Sequence, residues 1–254
     1  MKKLDLKKAT LFVKQNIGEF HQRRLETLIK IKLRAVLKSK NPYLFKAKNV
    51  SSANEIVEGI LNAFLSSSEE GIFGNWLERL AIFINDSVYN GRKAGIEGID
   101  LDFDKEGHRY LVSIKSGPKW GNASQIKKMC DQFESARKRL ATSGGKGSII
   151  CVNGCCYGKS RLQSEYKSKG NYYKYCGKRF WELISGDSDL YIKIIEPLGH
   201  EAAEKNNEFK ISYGNLVNRL TKEFLEDFCM KDGSIDWEKL LVFNSSFETT
   251  PSTR

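Results

Sequence analysis

The chain lacks any apolar run that approaches the roughly 18 residues of a membrane span, so we expect no transmembrane segment. Only four of its 254 residues are proline and 40% are hydrophobic, which excludes collagen-like and disordered chains. The basic N-terminal stretch MKKLDLKKATLFVKQ is interrupted by acidic and polar residues and does not have the apolar segment of a secretion signal. We therefore expect one soluble, globular domain over residues 1–254, located in the cytoplasm.

Histidine and cysteine are too sparse and too dispersed to predict a zinc site. The three histidines are far apart in the sequence, and none of the six cysteines belongs to a CxxC pair. Zinc sites usually contain such closely spaced ligand pairs. Because the chain is large and shows no secretion signal, we expect free and mostly buried thiols rather than disulfides.

Acidic residues are outnumbered by basic ones. The chain has 31 Asp and Glu against 42 Lys and Arg, which gives a formal net charge of +11. This surplus favours a polyanionic partner, because Lys and Arg release the counterions that are condensed around phosphates. Composition alone leaves DNA, RNA and an anionic membrane surface open as that partner.

Residues 1–70 predict a helical and basic N-terminal part. Apolar residues recur there at helical spacing between Lys and Arg, and Asn41-Pro42 ends the first helix. Ser52 and Glu55 have the spacing of a capping box, which predicts that a second helix begins there. The polar run SSSEEG is expected to end this second helix.

Helical periodicity continues beyond this part. A third predicted helix, from Phe73 to about Val88, places Glu78 at the border of its apolar face. Residues 201–254 predict a helical C-terminal part. Residues 71–200 between these ends are expected to form an α/β core.

Residues 99–115 alternate between apolar and polar side chains, which predicts a β-hairpin. With a turn at Lys105 to His108, the predicted antiparallel pairs are Asp104–Arg109, Phe103–Tyr110, Leu101–Val112, Asp100–Ser113 and Ile99–Ile114. In this register the apolar side chains share one face. Asp100, Asp102, Ser113 and Lys115 share the other, because directly paired residues lie on the same face.

The remaining core elements predict a mixed sheet packed between helices. In order, they are a helix capped by Asn122 and Gln125 and ending near Leu140, an apolar strand Ser148–Val152, a basic tyrosine-rich loop Lys159–Tyr175, a helix around Phe180–Ile184 and a strand Leu190–Ile195. The expected fold class is therefore α/β, with a mixed, twisted sheet of about five strands flanked by helices and with helical additions at both ends.

Two acidic groups and a lysine on one sheet face suit metal-dependent hydrolysis of a phosphodiester. Carboxylate oxygens bind Mg²⁺, and the metal polarises the phosphate and lowers the pKa of a bound water. A lysine positions that water or offsets charge. An acidic patch on a basic protein then has a reason, because the metal links it to a polyanion that the rest of the surface attracts.

Two parts of the sequence carry a family resemblance. Gly98-Ile99-Asp100 followed by Ser113-Ile114-Lys115 resembles the active-site motif of the PD-(D/E)xK nucleases. The later segments NGCCYGK and YCGKRFWELISGD are similar to one group of type II restriction endonucleases, and the broader likeness runs from about Gly71 to His200. The resemblance implies a restriction-endonuclease-like fold, Mg²⁺-dependent cleavage of double-stranded DNA at a specific site, a homodimer, and a methyltransferase that protects the host DNA.

The resemblance also implies roles for individual residues. The motif aspartate falls on Asp100 as a metal ligand, and the motif lysine falls on Lys115, which would orient or activate the attacking water. Ser113 stands where the family has a second acidic residue. Glu78 is the first candidate to replace that acid and Glu97 the reserve. Asp102 is either a further ligand or an exposed neighbour, and we favour the neighbour.

Two further segments are candidate DNA contacts. The loop after Lys115 leads into a helix N-terminus, where Lys119, Trp120, Asn122 and Gln125 are expected to face DNA. An equal alternative is that Trp120 packs into the core and Asn122 only caps the helix. Lys159 and Arg161 follow a glycine pair that is one residue too short for a phosphate-binding P-loop, and we expect them to contact DNA phosphates instead.

Two other functions remain open from the sequence. A DNA repair or structure-specific nuclease would share the same catalytic centre without a sequence requirement. A non-catalytic DNA-binding protein would keep the fold and the basic charge without cleavage.

Overall fold

A computed structural model describes residues 2–142, 148–160 and 166–247. Within these residues the helices are α1 Leu6–Ile29, α2 Leu33–Lys38, α3 Pro42–Ala47, α4 Ala53–Tyr89, α5 Ala123–Thr142, α6 Lys178–Ser185, α7 Leu190–Lys193, α8 Ile195–Leu198, α9 Ala202–Phe228 and α10 Trp237–Ser245. The strands are β1 Leu101–Lys105, β2 His108–Lys115, β3 Ser148–Cys155, β4 Tyr166–Lys167 and β5 Tyr172–Cys176. The predicted α/β class and the sheet of five strands are confirmed.

The sheet is mixed and has the strand order β1-β2-β3-β5-β4. Its two outer pairs are antiparallel, and the two inner pairs, β2 with β3 and β3 with β5, are parallel. The predicted hairpin register is confirmed from Leu101–Val112 through Asp104–Arg109. The strand β1 begins at Leu101, so Asp100 and Ile99 lie before it.

Both faces of the sheet are apolar, which corrects the prediction of one polar face. One face carries Phe103, Val112 and Ile114 in a large core with α4 and α6. The other face carries Leu111, which packs with Ile99 and with the buried side of α5. The predicted register already pairs Leu111 with Asp102, so this second apolar face was readable from the sequence. Ile99 packs on the face opposite to that of Ile114, and their predicted pairing is wrong.

The predicted helix starts follow from local hydrogen bonds. Ser52 and Glu55 form the capping box, with Ser52 Oγ accepting from the Glu55 N–H at 3.3 Å. The predicted end at SSSEEG is wrong, since α4 continues through it to Tyr89. Serine and glutamate do not break helices, and the run contains no proline.

Two predictions between residues 159 and 195 are also wrong. The expected loop contains β4 and β5, and the three tyrosines of β5 have a propensity that favours a strand over a loop. The expected strand Leu190–Ile195 forms α7 and the start of α8. Leu190 and Ile194 are buried four residues apart while Ile192 is exposed, so helical packing overrides the strand propensity of this run.

The chain divides into two compact units, one made of Met1–Phe20 with Ile72–His200 and the other of His21–Gly71 with Glu201–Arg254. The first contains the sheet and its two apolar cores. The second is helical and has its own core, in which Ile56, Leu61, Leu220 and Phe224 are buried. A single domain over residues 1–254 stays a prediction. No helix in the described ranges is long and apolar enough to cross a bilayer.

Candidate catalytic site

Asp100 lies directly before β1 and turns its side chain toward β2. Its Oδ2 atom accepts the backbone N–H of Ile114 at 2.6 Å. Partial burial raises the pKa of the Asp100 carboxyl above its ordinary value, the Ile114 hydrogen bond opposes this, and the Glu78 carboxylate adds to it. The site therefore holds a carboxylate whose negative charge is poorly solvated, and a cation would relieve that cost.

Lys115 is the last residue of β2, and its Nζ atom lies 3.9 Å from Asp100 Oδ2. The same Nζ lies 5.2 Å from the centre of the Trp120 ring. The backbone at this strand end is fixed, because the Lys115 carbonyl accepts the N–H of Cys156 at 2.9 Å. The motif aspartate and the motif lysine are thus brought together by the hairpin.

Glu78 comes to the same place from α4. It lies close enough to Asp100 to raise the pKa of that carboxyl, and it accepts a hydrogen bond from Lys93 Nζ at 3.2 Å. Burial first, and then the same Glu78 charge, raise the pKa of the Cys156 thiol to about 12. The side chains of Glu78 and Asp100 are each 22% exposed, which leaves both open to a ligand from solvent.

The other acidic candidates lie elsewhere. Asp102 forms an ion pair with Arg109 and is only 8% exposed, so the expectation of an exposed neighbour is wrong. Glu97 is exposed and lies 3.5 Å from Gln132 Nε2 on α5. Ser113, at the position of the missing acid, is 2% exposed within the sheet, and its carbonyl accepts a hydrogen bond from Asn153.

The predicted DNA contacts that the structure describes lie in the loop before α5, in the first turn of α5 and in the segment after β3. Asn122 and Gln125 cap α5, since Asn122 Oδ1 accepts the Gln125 N–H at 3.0 Å and Gln125 Oε1 accepts the Asn122 N–H at 3.0 Å. Trp120 is half-buried and packs beside the α5 core. Lys119 is exposed. Arg161 lies outside the described residues.

Lys159 is exposed on the wall of a cleft of about 880 Å³. Leu77, which precedes Glu78 on α4, and Cys156 line the same cleft. The cleft therefore includes the chain neighbour of Glu78, although neither Glu78 nor Asp100 lines it.

Sequence reasoning missed Asn153. It is 1% exposed in β3, and its Oδ1 accepts the indole N–H of Trp120 at 3.1 Å. An asparagine within an otherwise apolar strand was the available signal, because a buried amide needs hydrogen-bond partners.

The carboxylate pair fits magnesium better than a softer metal. The described ranges contain no cluster of three or more His, Cys, Asp or Glu side chains placed to hold a metal ion. Magnesium is usually bound by one or two carboxylates, and waters and substrate phosphates complete its shell. Glu78 and Asp100 supply that kind of donor set.

The sequence matches one family of known proteins. A family model described as type II restriction endonuclease EcoO109I matches residues 7–206. The search of curated proteins finds no match. Because the family model covers well over half of the sequence, including Glu78, Asp100 and Lys115, this chain belongs to the type II restriction endonuclease EcoO109I family.

Proposed function

We propose that the protein is a Mg²⁺-dependent endonuclease that hydrolyses phosphodiester bonds of double-stranded DNA at a specific sequence. The observation that carries the proposal is the ion pair of Asp100 and Lys115 at the end of β2, together with a Glu78 carboxylate that raises the pKa of Asp100. The family match supports a nuclease, and the charge of +11 supports a polyanionic substrate.

The two carboxylates are assigned to the metal. Magnesium bound there would polarise the scissile phosphate and lower the pKa of a bound water. Ile114 N–H and Lys115 Nζ both approach Oδ2 of Asp100, so Oδ1 is the oxygen that we assign to the metal. Glu78 takes the place of the acid that the family motif has at the position of Ser113.

Lys115 is assigned to the attacking water. An ammonium group has three donors and no acceptor. It can therefore donate one hydrogen bond to the oxygen of a water and another to Asp100. It also offsets the negative charge that builds up on the phosphate during attack. Lys119 and Lys159, both exposed, are proposed to bind DNA phosphates.

The broader assignment follows the family. We infer a homodimer, because a two-fold protein matches a palindromic DNA site. A methyltransferase acting in the same restriction-modification system would protect the host DNA, without binding to this chain. The cytoplasm is the place where both proteins meet the chromosome.

Digestion of an unmodified phage genome with Mg²⁺, followed by sequencing of the fragment ends, tests the proposal. Discrete fragments with one end sequence support a restriction enzyme. A smear indicates a repair or structure-specific nuclease, and DNA binding without cleavage indicates a non-catalytic protein. Asp100→Asn and Lys115→Ala are expected to abolish cleavage, while Asp104→Asn, an exposed acid on the same hairpin, serves as the matched control.

A further inference from the structure

The indole ring of Trp120 lies between Lys115 and a buried amide. On one side, the ring centre is 5.2 Å from Lys115 Nζ. At its edge, Nε1 donates a hydrogen bond to Asn153 Oδ1 at 3.1 Å. Asn153, Trp120 and Lys115 therefore form a continuous series of contacts, which leads from the core of the sheet to the ammonium group beside Asp100.

Asn153 is fixed at both ends of its amide. It pairs with Ser113 in the parallel β2–β3 register, and its Nδ2 donates to the Ser113 carbonyl at 3.3 Å. This bond directs Oδ1 toward the indole, and the side chain is 1% exposed. A buried amide with partners on both its donor and its acceptor has one orientation and defines where the indole edge must lie.

The loop that carries Trp120 is anchored on both sides. Lys174 Nζ donates to the Pro118 carbonyl at 2.7 Å. Gly117 lies so close to Tyr157 that a Cβ atom at this position would be 2.2 Å from the tyrosine ring. The ring of Trp120 is thus presented by a constrained backbone.

We propose that Trp120 and Asn153 are positioning residues that hold the ammonium group of Lys115 in place next to Asp100. A lysine side chain has four rotatable bonds, and an aromatic face attracts the ammonium group and narrows its range of positions. The inference rests on the proposed role of Lys115 in DNA cleavage.

This assignment differs from a direct DNA contact by Trp120. The indole N–H is already bonded to Asn153, and the ring is half-buried beside the α5 core. A residue that stacks on bases would need a free face and would act mainly on DNA affinity. A positioning residue acts mainly on the cleavage step.

Three variants separate the contributions. Trp120→Leu removes the ring and its N–H, whereas Trp120→Phe keeps an aromatic face and loses only the hydrogen bond. Asn153→Ala removes the same hydrogen bond from the opposite side. Trp237→Leu is the matched control, because Lys46 Nζ lies 5.0 Å from the centre of the Trp237 ring in the helical unit.

The first measurement is the single-turnover cleavage rate at saturating DNA, with metal-free DNA affinity measured alongside. We expect Trp120→Leu to lower the rate by about tenfold or more and to change the affinity by less than about twofold. Trp120→Phe and Asn153→Ala should give smaller, similar losses that do not add in the double variant. If Asn153→Ala does not fold, Trp120→Phe alone tests that hydrogen bond. Trp237→Leu should cleave at the wild-type rate.

The second measurement does not depend on cleavage. In protein labelled with ¹³C at the lysine ε-carbon, the ring current of Trp120 should shift the ε-protons of Lys115 upfield, with the signal assigned by its loss in Lys115→Arg. We expect Trp120→Phe to keep much of this shift and Trp120→Leu to abolish it.

The outcomes separate the two proposals. An unshifted Lys115 signal in the wild type overturns the positioning role, whether or not DNA is cleaved. A shifted signal with no cleavage by the wild type overturns the proposed function and, with it, the catalytic purpose of the contact. Weaker DNA binding with an unchanged cleavage rate in Trp120→Leu assigns Trp120 to DNA instead.

Discussion

Arg109 donates two hydrogen bonds to Asp102 across the β1–β2 hairpin, from Nε to Oδ1 at 2.8 Å and from the guanidinium Nη2 to Oδ2 at 2.6 Å. Both carboxylate oxygens are therefore occupied by one planar group. Hydrogen bonding to Asp102 raises the pKa of the Arg109 guanidinium above its already high value. An acid paired in this way is poorly placed to bind a metal, although it is only two residues from Asp100.

Breaking this pair should affect stability rather than catalysis. Arg109→Met leaves the Asp102 charge nearly buried and without its partner, and we expect the free energy of unfolding in urea to fall by about 1 to 3 kcal/mol. Cleavage per folded molecule should stay close to wild type. Loss of cleavage with unchanged stability would contradict the structural assignment of Asp102.

Metal binding should depend on Glu78 and Asp100 and not on Glu97. Calorimetric titration with Mg²⁺ or Mn²⁺ is expected to show binding in the wild type, with affinity reduced by about tenfold or more in Glu78→Gln and in Asp100→Asn. Glu97→Gln is the matched control, since Glu97 is exposed and lies near Gln132. A loss of affinity in Glu97→Gln and not in Glu78→Gln would move the second carboxylate to Glu97.

The raised pKa of Asp100 predicts how stability depends on pH without metal. Burial makes its ionised form unfavourable in the folded state, so the contribution of this group to stability is complete below the unfolded value of 3.8 and is lost as pH rises through the folded pKa. Asparagine resembles the protonated acid. Asp100→Asn should therefore melt at a higher temperature than the wild type at pH 7 in EDTA, with a gap that closes near pH 4.

A gap in melting temperature that widens toward low pH would reverse this sign and argue against a desolvated Asp100. Saturating Mg²⁺ should raise the melting temperature of the wild type at pH 7 and so narrow the gap, because a bound cation stabilises the ionised carboxylate. Asp104→Asn should show neither effect, since Asp104 is exposed.

The thiols should react in two groups. Burial raises the pKa of Cys151 to about 11 and that of Cys156 to about 12, and it also raises that of Cys155. Four of the six free cysteines are buried, as the sequence predicted for most of them. Burial also raises the pKa of Cys130 and of Cys229, but these two thiols are only half-buried. With a thiol reagent at pH 8, we therefore expect these two to react in the native protein and the other four only after denaturation. Rapid reaction of a buried thiol would contradict this burial.

Local signals made much of the fold predictable. The capping pairs Ser52–Glu55 and Asn122–Gln125 follow from residues three positions apart, and both form the hydrogen bonds that the spacing predicts. Elements decided by tertiary packing were predicted wrongly. The run Leu190–Ile195 has strand propensity, but its burial follows a helical period.

The same distinction applies to the site. The proximity of Asp100 and Lys115 was predictable, because one hairpin determines their separation. Glu78 was proposed because the family resemblance allows a glutamate from a neighbouring helix, and its charge raises the pKa of Asp100. Asn153 was missed because its partners, Trp120 and the carbonyl of Ser113, are 33 and 40 residues away in sequence and meet it only across the sheet.

The position of Asp100 just before β1, and of Lys115 at the end of β2, ties the chemistry to hairpin register. Each residue of slip along a strand displaces one side chain from the other by about 3.3 Å. A shift of two residues would keep every side chain on its own face of the sheet and still move the carboxylate about 7 Å along the lysine's strand. Catalytic competence therefore has a tighter geometric tolerance than folding, and the turn at Glu106 and Gly107, both with positive φ, is the element that sets this register.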